Sequence, residues 1–322
     1  MLRTYIRSRE KYFYGRDPHR ESLPFYRSPV VDAHSMAALK NSEAFFRAEP
    51  TRDYILDNGL LHFPSAVETA YVENNTVWGR YFKGSGDLAV VVLPQWHCDW
   101  EGHVRLCQLM QRFGIGSLRL SLPYHHFRMP AHLKRPEYLI SADLGQTLES
   151  TRQAVLDARR AADWLFLQGY KKVAILGTSI GSCIAFLTFA HDERFSAGVF
   201  IHVSGYYSDV VWEGLSTQHV RRALESSIEL EELRDIWRPI SPFPYIQRLR
   251  ATDRKILMFA GRYDPTFLPR LSQQAFDEFD RCEVPYELHW LRCGHYTMGE
   301  LPFSAVIAHK IIRMLRRERD RE

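Results

Sequence analysis

Hydrophobic residues along the chain form short runs that alternate with helical patterns. Leu88–Leu93 is a continuous apolar run, which is typical of a strand covered on both faces. Residues 102–113 then place Val104, Cys107 and Met110 at helical spacing. The same alternation predicts strands at 115–120, 172–176, 197–203, 255–260 and 286–291, and helices at 146–168, at 180–190 and after Pro302.

Strands and helices that alternate in this way predict a mostly parallel, doubly wound sheet, so the fold class is α/β. Two segments before the alternation, 60–67 and 75–83, have the alternating polarity of antiparallel strands and are joined by a turn at 73–75. We therefore expect antiparallel strands at the N-terminal side of the sheet.

Two segments depart from the alternation of strands and helices, and they predict the domain organisation. Residues 1–55 are polar, aromatic and basic, with a helix-like stretch at 35–47, and are interpreted as an N-terminal extension of a domain over 56–322. About fifty residues separate the strands ending at 203 and starting at 255, too many for an ordinary crossover. We expect an inserted helical cap at about 205–250.

Composition excludes several function classes. The 322 residues carry 42 basic and 38 acidic side chains, a net charge of +4, and the basic ones are not interleaved with aromatics as in nucleic-acid binding proteins. The five cysteines show no paired spacing, so reduced thiols are expected. Neither a secretory signal nor a membrane-spanning run is apparent, which favours a cytoplasmic protein.

The candidate chemistry begins at Gly177-Thr178-Ser179-Ile180-Gly181, where a predicted strand meets a predicted helix. A serine on this sharp turn needs small neighbours two positions before and after it, which Gly177 and Gly181 provide. The turn puts the hydroxyl at a helix N-terminus, where developing negative charge is stabilised. Ser179 is therefore the predicted nucleophile.

A serine nucleophile needs a general base and an acid that orients the base. In this architecture the acid and then the histidine follow the serine in the chain. Asp264 follows the strand at 255–260, and His295 follows the strand at 286–291. Both are expected at the same sheet edge as Ser179, although taken singly each could be an ordinary loop residue.

Two backbone N–H groups should bind the oxyanion of the reaction. One is that of Ile180. The other is expected in the loop after Leu88–Leu93, with Trp96 first and Gln95 second, although Trp96 could equally pack beneath the cap. Tyr206 and Trp212 are candidates for an apolar substrate pocket, which ordinary cap packing explains equally well, and Gln95 is a further candidate for that pocket.

No cofactor is expected, because the chain has neither a glycine-rich phosphate loop nor a dinucleotide fingerprint. Several side chains could be metal ligands but match no metal-binding spacing, and they are interpreted as polar loop residues. They are His97, Cys98, Asp99, His103, His125 and His126.

These motifs together resemble the α/β-hydrolase superfamily from about residue 60 to 320. The closest similarity is to the branch of dienelactone hydrolases and prolyl oligopeptidases, on 177–181, 157–165, 261–264 and Gly294-His295. The resemblance implies Ser179 as nucleophile, Asp264 as acid and His295 as base. A fainter similarity, at 122–126 and 264–295, is to abhydrolase-domain proteins implicated in lipid deacylation. Pro94-Gln95 departs from the usual His-Gly of the oxyanion loop.

The predicted function is hydrolysis of a small-molecule carboxylic ester through an acyl-enzyme. Two alternatives stay open. The fold could serve as a binding module without catalysis, or the protein could be a lipid-acyl or thioester hydrolase whose basic termini contact a membrane surface. The sequence does not define the oligomeric state.

Overall fold

A nine-stranded mixed sheet forms the centre of the protein. The computed structural model describes residues 2–16 and 20–321. The strands are β1 Ile55–Asp57, β2 Leu60–Pro64, β3 Thr76–Phe82, β4 Leu88–Leu93, β5 Gly116–Leu120, β6 Lys172–Thr178, β7 Phe195–Ile201, β8 Lys255–Gly261 and β9 Glu287–Leu291.

The strand order is β1-β2-β3-β5-β4-β6-β7-β8-β9. The first three strands and the β3–β5 pair are antiparallel, and all pairs from β5 to β9 are parallel. The predicted α/β class, with a mostly parallel sheet and antiparallel N-terminal strands, is confirmed. The carboxyl ends of β4, β6, β7, β8 and β9 consequently meet at one edge.

Helices surround the sheet. They are α1 Leu2–Gly15, α2 Val31–Lys40, α3 Ser42–Phe45, α4 Val104–Arg112, α5 Leu144–Leu167, α6 Ile180–His191, α7 Tyr207–Glu213, α8 Gln218–Leu224, α9 Leu230–Ile236, α10 Pro269–Arg281 and α11 Phe303–Arg319. Short 3-10 helices lie at Val72–Asn75, His126–Arg128, Leu215–Thr217, Arg238–Ile240, Phe243–Leu249 and Thr297–Gly299.

The position of β4 inside the sheet explains why its sequence is apolar throughout. Ala89, Val91 and Leu93 belong to the core on the face covered by α5, α6 and α10. The alternate residues Leu88, Val90 and Val92 belong to the core on the other face, with side chains of α4 and α11. Because successive side chains of a strand point to opposite faces, both faces of β4 need apolar residues.

The regions outside the regular alternation differ in detail from the expectations. The helical stretch expected at 35–47 is α2 followed by the short α3, and α1 and β1 were not predicted. The segment expected as a cap contains α7, α8 and α9 between β7 and β8. The boundary at residue 55 stays a prediction. No described helix is both long and apolar enough to cross a membrane.

A buried ion pair ties the antiparallel side of the sheet to α5. The Arg128 guanidinium, fully buried, donates to the Asp157 carboxylate at 2.8 Å, to Asn74 O at 2.9 Å and to Ser121 O at 3.1 Å. Asp157 Oδ1 also accepts from the Ser65 hydroxyl. Each buried charge thus has an opposite charge and further hydrogen bonds, the condition under which burial of an ion pair is tolerated.

Candidate active site

The residue between β6 and α6 is Ser179, and its backbone is strained. Its φ and ψ are 57° and −122°, in a region that non-glycine residues rarely adopt. A Cβ on Gly177 would lie 2.0 Å from Gly181 O, and a Cβ on Gly181 would lie 2.3 Å from Leu93 O. These main-chain contacts are the physical reason for glycine on both sides of Ser179.

Ser179, His295 and Asp264 come together at the carboxyl edge of the sheet. Ser179 Oγ and His295 Nε2 are 3.1 Å apart, and His295 Nδ1 and Asp264 Oδ2 are also 3.1 Å apart. Ser179 and Asp264 are buried, at 8% and 2% exposure, so the line of polar groups is largely withdrawn from bulk water. Such a chain allows a proton to pass from the hydroxyl to an imidazole held by a carboxylate.

The Asp264 carboxylate is held in its charged form. Its Oδ1 accepts from the backbone N–H groups of Thr266 and Phe267, each at 2.8 Å. Burial alone would raise the pKa of Asp264, but the nearby His295 and His202 imidazoles outweigh it and hold that pKa well below its usual value. A charged Asp264 fixes the orientation of His295.

A second imidazole, that of His202 after β7, was not predicted. Its Nδ1 lies 2.8 Å from Asp264 Oδ2, although without the alignment of a hydrogen bond, and its ring centroid is 4.2 Å from that of His295. Burial, reinforced by His295, lowers the pKa of His202 to about 4. His202 is therefore a neutral ring against the carboxylate. The backbone φ of His202 is 63°, and no pattern in the sequence indicates this conformation.

Among the described residues, the metal-like grouping is formed by these same side chains. His202, Asp264 and His295 have ligand atoms within 4.8 Å of one another. A cation bound there would compete with His295 for Asp264.

The loop after β4 lies beside the turn that carries Ser179. Among the described residues, neither Gln95 nor Trp96 donates its backbone N–H to another group, whereas the His97 N–H donates to His125 Nε2 at 3.3 Å. The Trp96 indole donates to Pro136 O at 3.0 Å. Two N–H groups thus remain available next to the turn, those of the two residues expected there.

One buried and two half-buried side chains fix the shape of this loop. Arg119 on β5 is fully buried and donates to Asp99 O at 2.7 Å and to Gly102 O at 3.2 Å. His126 Nε2 lies 2.8 Å from Cys98 O. His103 Nε2 lies 3.0 Å from Thr178 Oγ1, directly before Ser179. His103, His126 and Arg119 therefore hold the loop in place by hydrogen bonds. The spacing of these residues in the sequence did not indicate this structural role.

A cavity of about 990 Å³ contains Ser179 and His295 in its wall and spans both layers of the fold. On the α5–α6 side its lining includes Ile140, Tyr207 and Val211, and on the other side Leu106, Leu109, Met298 and Ile307. Phe13 of α1 also lines it. Groups attached to either side of a reacting carbonyl would meet mainly apolar walls.

The two aromatic residues expected in the pocket have different surroundings. Tyr206 lines the cavity, as does Gln95, and the Tyr206 ring stacks on Phe243 at 4.8 Å. Trp212 is not among the described residues that line the cavity, and its place in a substrate pocket stays a prediction. It packs against the core beside Arg221, whose guanidinium lies 5.4 Å from its ring. Helix α7 turns its Val210 and Val211 face to the cavity instead.

The sheet order, the strained serine turn and the carboxyl-edge cavity define an α/β-hydrolase fold. The chain is similar to an acetyl xylan esterase from Paenibacillus sp. R4, with 15% identity, a TM-score of 0.62, and coverage of 91% of this chain and 96% of that one. It is also similar to the Pyrococcus furiosus esterase Pf2001, with 15% identity, a TM-score of 0.56, and coverage of 84% and 97%.

A third similar structure is the Pyrococcus horikoshii acylaminoacyl peptidase, with 12% identity and a TM-score of 0.59. The match covers 86% of this chain and 43% of that one. No family model and no curated protein sequence matches the chain. The predicted resemblance to the α/β-hydrolase fold is confirmed, and at these identities the similarity establishes the fold alone.

Proposed function

We propose that the protein is a serine hydrolase that cleaves carboxylic esters through an acyl-enzyme on Ser179. The observation that carries the proposal is the line of contacts from Ser179 Oγ to His295 Nε2 and from His295 Nδ1 to Asp264 Oδ2, each at 3.1 Å. Ser179 lies on a strained turn in the wall of a cavity, where an activated serine hydroxyl can reach a bound substrate.

The proposed reaction begins as His295 takes the Ser179 proton while the hydroxyl oxygen attacks the ester carbonyl carbon. Asp264 stabilises the imidazolium that forms. The backbone N–H of Ile180 and that of Trp96 or Gln95 bind the oxyanion. His295 then protonates the departing alcohol. Water attacks the acyl-enzyme with His295 again as base, and the acid leaves with Ser179 restored.

The cavity supports an ester that is apolar on both sides of the carbonyl. Its walls come from both layers of the fold, and Ser179 lies between them. An acyl group and an alcohol group of moderate size could therefore each contact one set of apolar side chains.

The test is covalent labelling with a fluorophosphonate, followed by intact mass, on the wild type and three variants. Wild type should gain one label, and Ser179→Ala none. His295→Ala should label about 10³-fold more slowly, because the nucleophile has lost its base. Ser226→Ala, at an exposed serine, is the matched control and should label like wild type.

Turnover of p-nitrophenyl esters from acetate to decanoate then defines the acyl preference, with an arylamide series as the amide comparison. All assays include EDTA, so that a cation on Asp264 and His295 does not influence the result. Folded wild type that takes no label would refute the proposal and favour the binding-module alternative.

A further inference from the structure

Helix α1 contacts the loop that carries His295. Its two buried residues, Ile6 and Glu10, are four positions apart and so lie on one face of the helix. Phe13 continues this face, and its ring lies 5.9 Å from that of Tyr296. Arg9 forms an ion pair with Glu300. The helix is thus bound along the segment that directly follows His295.

The contact centres on the Glu10 carboxylate, which is only 1% exposed. Its Oε2 accepts from the backbone N–H of Tyr296 at 2.9 Å. Its Oε1 accepts from the backbone N–H of Thr297 at 2.9 Å and from the Thr297 hydroxyl at 2.8 Å. Three hydrogen bonds to one charged group hold this backbone firmly, because such bonds are stronger than those between neutral groups.

The same carboxylate also acts on the residue before His295. The Gly294 N–H donates to the Thr297 hydroxyl oxygen at 2.8 Å, and that hydroxyl in turn donates to Glu10. A Cβ on Gly294 would lie 2.5 Å from the Glu10 carboxyl group, so only glycine allows this approach. The backbone on both sides of His295 is therefore fixed by Glu10, directly on one side and through Thr297 on the other.

The arrangement extends to the loop of Asp264. The Tyr296 hydroxyl is 2.9 Å from Ser216 Oγ, which is 2.8 Å from Thr266 Oγ1. The Thr266 backbone N–H donates to Asp264 Oδ1. The loop held by Glu10 is in this way connected to the loop that presents the carboxylate.

We infer that Glu10 is a positioning residue for His295, so that α1 is a component of the active site. This inference rests on the proposed function, because it assigns Glu10 the task of holding the proposed base. Glu10 touches neither the substrate nor the reacting atoms. It acts through the backbone of 294–297, and a displacement of about 1 Å in a catalytic group can cost about 100-fold in rate.

The experiment compares Glu10→Ala, Glu10→Gln and Thr297→Val with wild type, with Lys11→Ala as control on the exposed side of α1. Two quantities are measured: the fluorophosphonate labelling rate per folded molecule, and amide hydrogen exchange of the segment 293–299. Thermal unfolding of each variant defines the folded fraction, so that lost stability is not counted as lost reactivity.

Glu10→Ala should slow labelling about 30- to 100-fold and speed exchange of the 293–299 segment. Glu10→Gln should be intermediate, because its oxygen can still accept from Thr297 while its amide cannot accept from the Tyr296 N–H. Thr297→Val should slow labelling about tenfold, and the effects of Glu10→Ala and Thr297→Val should not add, because both act on one network.

Ester kinetics separate positioning from substrate binding: kcat should fall while KM changes less than about threefold. The inference is overturned if folded Glu10→Ala labels like wild type, or if exchange at 293–299 is unchanged. If wild type itself does not label, the proposed function is refuted, and the exchange readout alone decides whether Glu10 holds the loop.

Discussion

Buried neutral histidines predict that the protein loses stability steeply in mild acid. Burial lowers the pKa to about 4 for His103, His126, His191, His202 and His219 and to about 3 for His97, and it places the pKa of His125 well below its usual value. In the unfolded chain these groups have the ordinary histidine pKa of about 6.5. Between about pH 4 and 6.5 the unfolded state therefore binds more protons.

The sign and size follow from proton linkage. Because the unfolded state takes up the protons, stability falls as the pH is lowered through 6.5. A histidine with a folded pKa of about 4 contributes a loss of about 2 kcal/mol between pH 7 and 5. The six histidines with a folded pKa of about 3 or 4 contribute about 11 kcal/mol together, and His125 adds to the loss in the same direction.

One buried carboxyl opposes this trend. Burial raises the pKa of Glu137 to about 7. Glu137 therefore takes up its proton mainly in the folded state, which raises the free energy of unfolding by about 2 kcal/mol between pH 7 and 5. The net expected loss is about 9 kcal/mol, comparable with the whole stability of an ordinary domain, about 5–15 kcal/mol. We therefore expect cooperative acid unfolding near pH 5.

Urea unfolding at pH 7, 6 and 5, followed by circular dichroism, measures this loss directly. His191→Phe removes one buried histidine far from Ser179 and should reduce the loss by about 2 kcal/mol. His309→Asn, at an exposed position, is the matched control and should leave the loss unchanged. A fall of less than about 2 kcal/mol between pH 7 and 5 would refute the reasoning, since it would mean that these histidines accept protons in the folded state.

Three further outcomes are expected. Gly181→Ala should abolish labelling and lower stability by about 1–3 kcal/mol, because the new methyl group meets carbonyl oxygens of the chain at β4; wild-type labelling would contradict this. Asp157→Ala should cost about 3–5 kcal/mol in urea unfolding, because it leaves Arg128 charged and buried, and a cost under 1 kcal/mol would show that Arg128 finds another partner. His202→Phe keeps a ring beside His295 but removes the polar contact with Asp264, and should slow labelling about tenfold; an unchanged rate would assign His202 to packing alone.

The parts of the site that the sequence predicted are those with a local signature. The turn at Ser179 is bounded by glycines, and Asp264 and His295 each follow an apolar run that can be identified as a strand. Their contacts depend only on strand order and on the common edge of a parallel sheet. The fold class and the three side chains that meet were therefore within reach of sequence reasoning.

The missed residues act through contacts between distant segments. Glu10 is the one acidic residue of a basic helix, and an isolated carboxylate gives no sign that it is buried against Tyr296 and Thr297. His202 contacts Asp264 only because β7 and β8 are neighbours. The direction of the Trp212 side chain could not be predicted either, because an aromatic residue on a short helix can face the cavity or its neighbours, and periodicity over seven residues does not distinguish the two.

The hydrogen bond between Glu10 and Thr297 joins residues 287 positions apart. Closing a loop of this length costs more chain entropy than closing a short one, so we expect this contact to form late in folding. A chain that is still being synthesised can complete the sheet through β8 while the partner of Glu10 has not yet been made. Reactivity at Ser179 should consequently return after secondary structure during refolding. If the labelling rate recovers later than the circular dichroism signal, the delay would record the docking of α1 as the final step.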